Sequence, residues 1–153
     1  MTINYIKKYL SNDDLYELKD EIEKIESKTS GEIRFCLKLK RSYSEKKLKH
    51  KELAVKEFIK LGMNKTIDHT GVLIFVLFKD KVFEIIADEG INDKINQDKW
   101  DLIIFQMKTE FSNGNYKSGL LKCLNEIGKI LIKEFPIKEG DKNELSDDIV
   151  IGK

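Results

Sequence analysis

The chain carries a single proline, Pro136, and only two cysteines and two histidines in 153 residues. Cys36 and Cys123 lie far apart and belong to no C-x-x-C pair, so free thiols are expected rather than a disulfide. With only His50 and His69 to add to them, the residues do not make up a zinc site. Charge of one sign is also missing. Lys and Arg number 28 against 27 Asp and Glu, a formal net charge of +1. That balance argues against a nucleic-acid binder relying on bulk charge. No apolar run approaches the roughly 20 residues of a membrane helix. The opening "MTINYIKKYLSNDD" has no apolar h-region, so a soluble cytoplasmic chain without a membrane span is expected. Repeats and low-complexity linkers are absent too.

What is present is 41% hydrophobic and 36% charged residues, the composition of one globular domain with a heavily charged surface. A single domain over 1–153 is expected, its core at about 9–136 and an acidic tail at 137–153. Ser11-Asn12-Asp13-Asp14 offers N-caps for a helix whose apolar stripe is Leu15, Leu18, Ile22 and Ile25, ended by Ser30-Gly31. "EIRFCLKLK" alternates, predicting a strand with one partly wet face. Residues 44–61 return to helical spacing through Leu48, Phe58 and Leu61, with Gly62 as the stop. "GVLIFVLF" (71–78) is apolar without alternation, as in a central strand covered on both faces. Lys79-Asp80-Lys81 turns it into a third strand at 82–88, and Gly90 with "NDKINQD" forms a connection. Trp100, Ile103, Ile104, Met107 and Phe111 mark one helix; Leu120, Leu124, Ile127 and Leu131 mark another, which Pro136 ends. "DIVIG" near the C-terminus allows a short edge strand.

The order α-β-α-β-β-α-α implies a right-handed crossover between two parallel strands, then an antiparallel third. An α/β/α sandwich with a small mixed sheet and helices on both faces follows. In that topology strands one and two begin where strand three ends. Glu32, Asp68, His69, Asp88 and Glu89 therefore converge on one rim. The first helix points its C-terminal carbonyls there, an arrangement that favours a cation. Carboxylates and carbonyls are hard ligands suited to Ca²⁺, with Mg²⁺ as the other possibility. The candidate metal ligands are Asp88, Glu89, Glu32 and Asp68. "DEGIND" does not have the EF-hand spacing. The competing reading is that these acids are solvated strand ends.

"TSGEIRFCLKL", "ELAVKEFIKLGMNKT", "HTGVLIFVLFKDKVFEIIADEGIN", "FSNGNYKSGLLKCLNEIG" and the ending "FPIKEGDKNELSDDIVIG" together resemble the TPM-domain family, in its compact bacterial form. The resemblance spans roughly 9–152. It implies an α/β/α sandwich, and for some members binding of Ca²⁺ or another divalent cation. One branch is described as phosphatase; others are membrane-tethered or act in photosystem maintenance or receptor modulation. Glu32, Gly71, Asp88, Gly90 and Ile91 match the family by position. This chain departs from many relatives in lacking a signal peptide, a membrane anchor and a Gly-rich tail. It also has Lys51 or Lys56 where many carry an arginine, which matters wherever a guanidinium fork is needed.

Two functions follow. A divalent-cation binding or protein-interaction module, expected as a monomer, needs only the rim, its partners being the cation and an unidentified protein. The alternative is a weak metal-assisted acid phosphatase, in which metal at the rim activates water, with Arg34 and Lys28 as nearby cations. No catalytic residue is assigned. Cys36 and Arg41 form C-x4-R rather than the phosphate-cradling C-x5-R, and Cys36 lies within a strand. His69 is expected as a capping or hydrogen-bonding residue and Trp100 as core. The lysine run "KRSYSEKKLKHK" is expected as a solvated helix face. The tail acids Asp141, Glu144, Asp147 and Asp148 are expected in a solvated tail rather than at a second cation site.

Overall fold

A computed structural model describes residues 3–138 and 149–153. Helix α1 (Asn12–Glu26) starts at a reciprocal cap. The Ser11 hydroxyl accepts the Asp14 N–H at 3.1 Å, and Asp14 Oδ2 accepts the Ser11 N–H at 2.9 Å. Strand β1 (Glu32–Lys38) leads to α2 (His50–Lys60), then β2 (Gly71–Leu77) and β3 (Val82–Ala87). A short α3 (Glu89–Asn92) precedes α4 (Gln97–Ser112) and α5 (Tyr116–Glu134), and β4 (Val150–Gly152) closes the chain. The sheet runs β3-β2-β1-β4. β1 pairs parallel with both β2 and β4, and β2 pairs antiparallel with β3. The α/β/α sandwich and mixed sheet expected from the sequence are both found, with β4 as the short edge strand.

The continuous apolar run of β2 is explained by two cores. Val72, Ile74 and Val76 point into the larger one with Ile33, Phe35 and Leu37 of β1, under α1, α4 and α5. Leu73, Phe75 and Leu77 point to the other face, against Leu53, Ala54 and Phe58 of α2. With side chains alternating across the sheet, each face of β2 is closed by its own helical layer.

Three boundaries differ from expectation. The helix expected at 44–61 is a 3₁₀ turn at Tyr43–Glu45 followed by α2 from His50, so Leu48 packs from the connecting segment. β1 keeps the partly wet face expected of it: Arg34 and Lys38 are half-buried, while Cys36, 1% exposed, is covered there by α2. Strand three ends at Ala87, since Asp88 turns the chain into α3 as its N-cap. The connection expected after it therefore opens with a helical turn. The four tail acids lie outside the described residues. No described helix is long and apolar enough to cross a membrane.

Candidate functional site

The amino ends of β1 and β2 and the carboxyl end of β3 meet at one rim. Glu32 stands in register with Gly71, and its N–H donates to Thr70 O at 3.1 Å. Asp88 donates its N–H to Gly71 O at 2.9 Å, placing strand three's exit beside strand two's entrance. The segment before β2 is shaped by two devices. Thr66 Oγ1 accepts the Thr70 N–H at 3.0 Å, and His69 adopts φ 54°, a left-handed conformation uncommon outside glycine and asparagine. Gly71 is needed because a β-carbon there would stand 2.7 Å from Met63 O.

Asp88 is held on both of its oxygens. Its Oδ1 accepts the Glu89 N–H at 2.9 Å, and its Oδ2 lies 3.3 Å from His69 Nδ1. Its side chain is 14% exposed, against 55% for His69. Asp68, 53% exposed, reaches Lys138 Nζ at 3.9 Å. Glu89 is exposed, whereas Glu32 is 3% exposed. Backbone register thus brings all four predicted ligands to one end of the sheet. Among the described residues, no group of three or more His, Cys, Asp or Glu side chains stands assembled to hold a metal ion.

The remaining candidates fall where their chemistry suggested. His69 hydrogen-bonds Asp88. Trp100 is core at 8% exposure. Both cysteines are free and buried, and burial pushes each thiol up to about 12. Arg41 is held by Asp80, Nε to Oδ2 at 3.2 Å. A cysteine–arginine phosphate loop is therefore ruled out. Two polar residues near the rim gave no earlier signal. Glu26 Oε2 accepts the Ile33 N–H at 3.0 Å from the end of α1, and Asn92 Nδ2 caps β3 by donating to Ala87 O at 2.8 Å. Glu26 looked like one more charged helix residue, and Asn92 like part of a polar loop.

A parallel β-α-β unit extended by an antiparallel hairpin, with helices on both faces, defines the class as a compact α/β/α sandwich. Within that class the TPM domain matches residues 4–130, and the chain belongs to that family. Among solved structures, the BA42 protein from the psychrophilic bacterium Bizionia argentinensis sp. nov. is 36% identical, with TM-score 0.85, covering 96% of this chain and 98% of that one. The N-terminal domain of a P. gingivalis protein has TM-score 0.69 at 15% identity, covering 85% of this chain and 81% of that one. The N-terminal domain of the cg2496 protein from Corynebacterium glutamicum has TM-score 0.62 at 9% identity, covering 84% and 77%. These last two share the fold alone. No curated protein matches the chain.

Proposed function

We propose that the chain is a divalent-cation binding module whose rim takes up Ca²⁺, through Asp88 and Glu89 with Asp68 completing the carboxylate set. What supports the reading is the backbone convergence at Gly71: Asp88 is bonded to that residue's carbonyl while Asp68 lies three positions upstream. Asp68 is preferred to Glu32 as the third ligand because it is open to solvent and Glu32 is buried. Binding would draw the exposed carboxylates together and fix the segments before β2 and after β3. Metal then acts by stabilising the folded state.

A hydrolytic version of the same site would require metal-activated water, since the buried thiols supply no nucleophile.

The test is a thermal melt of chelator-treated protein against increasing Ca²⁺, with Mg²⁺ in parallel, for the natural chain and Asp88→Asn. Asparagine keeps the helix cap and removes the charge. A saturable rise in midpoint, lost in the variant, is expected. A flat response to millimolar metal overturns the reading and with it the metal-assisted phosphatase. Hydrolysis of a generic phosphate ester, dependent on metal and on Asp88, would instead make the site an enzyme.

A further inference from the structure

At the opposite end of the sheet lies a cleft of about 840 Å³ whose chemistry differs from that of the rim. It opens at the carboxyl end of β2, where the hairpin to β3 meets the segment before α1 and the α4–α5 junction. In open α/β sheets, ligands bind outside the carboxyl ends of the parallel strands. The volume falls within the range of small-molecule pockets.

Four lysines line this cleft, Lys8, Lys79, Lys81 and Lys108, and no carboxylate does. All four are exposed, and among the described residues none of them forms an ion pair. Elsewhere lysines are commonly matched, as Lys99 is by Glu126 at 3.0 Å and Lys122 by Glu110 at 2.8 Å. Asp80, the acid between the two turn lysines, is drawn away by Arg41 at 3.2 Å and His50 at 3.8 Å. The turn therefore presents two uncompensated cations, Lys81 from a left-handed turn position at φ 55°.

The cleft's apolar lining is aromatic. Phe78 lies between Tyr9, stacked at 4.6 Å, and Phe111, stacked at 6.3 Å. Tyr116 meets both Tyr9 and Phe111 edge-on at 5.2 and 5.3 Å. Tyr9, Phe111 and Tyr116 are each only half-buried, so the ring cluster reaches the surface among the lysines. A planar ring stacks on such a platform, and ammonium groups serve as point charges for phosphates. A fatty acid would leave most of the cations unanswered, and a duplex would require a basic surface that a net charge of +1 does not supply.

We propose that this cleft binds a nucleoside polyphosphate, with its base against the half-exposed Tyr9, Phe111 and Tyr116 rings and its phosphates among the four lysines. The proposal is independent of metal at the rim. The experiment is a ¹H–¹⁵N NMR titration of the whole chain at low salt, with chelator present so that no metal-bridged phosphate can bind at the carboxylates. ATP, adenosine and inorganic triphosphate are the probes.

ATP is expected to give saturable shifts in the backbone amides of residues 8–9, 76–83 and 111–116. Adenosine and triphosphate should each bind about tenfold or more weaker, since each keeps only one half of the recognition. Lys79→Glu with Lys108→Glu, both on exposed side chains, should weaken ATP about tenfold while leaving the rest of the spectrum unchanged. No saturation at millimolar ATP overturns the proposal. So do shifts centred on the rim, triphosphate binding equal to ATP, or a variant that binds like the natural chain. None of these results bears on the Ca²⁺ melt, which is read without nucleotide.

Discussion

Gly90 donates its N–H to the carbonyl of His69 at 3.0 Å, and a β-carbon on Gly90 would stand 2.7 Å from that same oxygen. The first turn of α3 therefore packs backbone to backbone on the segment entering β2. The glycine is required by space rather than by a left-handed dihedral, since Gly90 is not among the positive-φ residues. Rigid carbonyls cannot give way as a flexible side chain would. Gly90→Ala is expected to cost about 2 kcal/mol, the scale of overpacking a tight contact. A lowered urea midpoint with an unchanged slope would show it, and an unchanged midpoint would mean that the α3 turn can swing away freely.

This contact marks the limit of what the sequence disclosed about the rim. Strand direction and the gathering of Glu32, Asp68, Asp88 and Glu89 at one end were legible, because a helical crossover leaves β1 and β2 parallel and a tight hairpin turns β3 antiparallel. The turn α3 was not, since four residues cannot display a 3.6-residue period. His69's positive φ was hidden for a different reason: it depends on Thr66 and Gly90 rather than on histidine itself. The late start of α2 went unseen because lysines dominate 46–51 and leave its first turn without an apolar stripe. At the far cleft, Lys8, the turn lysines and Lys108 come from three segments that only folding brings together. Its aromatic rings looked like ordinary helix and strand core.

Thr29 ties the segment after α1 to the last turn of α5. Its buried hydroxyl donates to the carbonyls of Leu131 and Phe135 at 3.0 and 2.5 Å and accepts the Gly31 N–H at 3.0 Å. These bonds fasten the last turn of α5 to the chain as it enters β1. Thr29→Val keeps the shape and strands those groups, an expected loss of about 1–3 kcal/mol. Amide exchange at the start of β1 should accelerate with it. Exchange rates and stability equal to those of the natural chain would assign the junction to apolar packing alone.

The thiols offer a test of the excluded nucleophile. Cys36 and Cys123 are 1% and 2% exposed, and burial raises both to about 12 from an ordinary 9.0. The thiolate fraction at pH 8 is then reduced on the order of a thousandfold, before access is considered. A thiol reagent should label the native chain slowly and the urea-unfolded chain fast, at two sites. Rapid labelling of one native thiol would reopen the case for covalent phosphate chemistry at Cys36.

Glu45 ties stability to pH on the acid side. The residue is 7% exposed, and burial by itself would raise its carboxyl. The Ser42 N–H at 2.9 Å and Lys38 Nζ at 2.9 Å overcome that cost and hold it at about 2, below an ordinary 4.5. A folded value below the unfolded one means that the charged form is favoured by folding. Its contribution is full above about pH 4.5 and is lost as pH falls from there toward 2. The gap corresponds to at most about 3 kcal/mol. Glu45→Gln should lower stability at pH 7 and flatten the acid limb over that interval, because no proton is then taken up there. Urea midpoints measured from pH 7 down to pH 3 for both proteins check it. Parallel curves would show that the Lys38 pair is matched by its desolvation and that acid unfolding begins at other carboxylates.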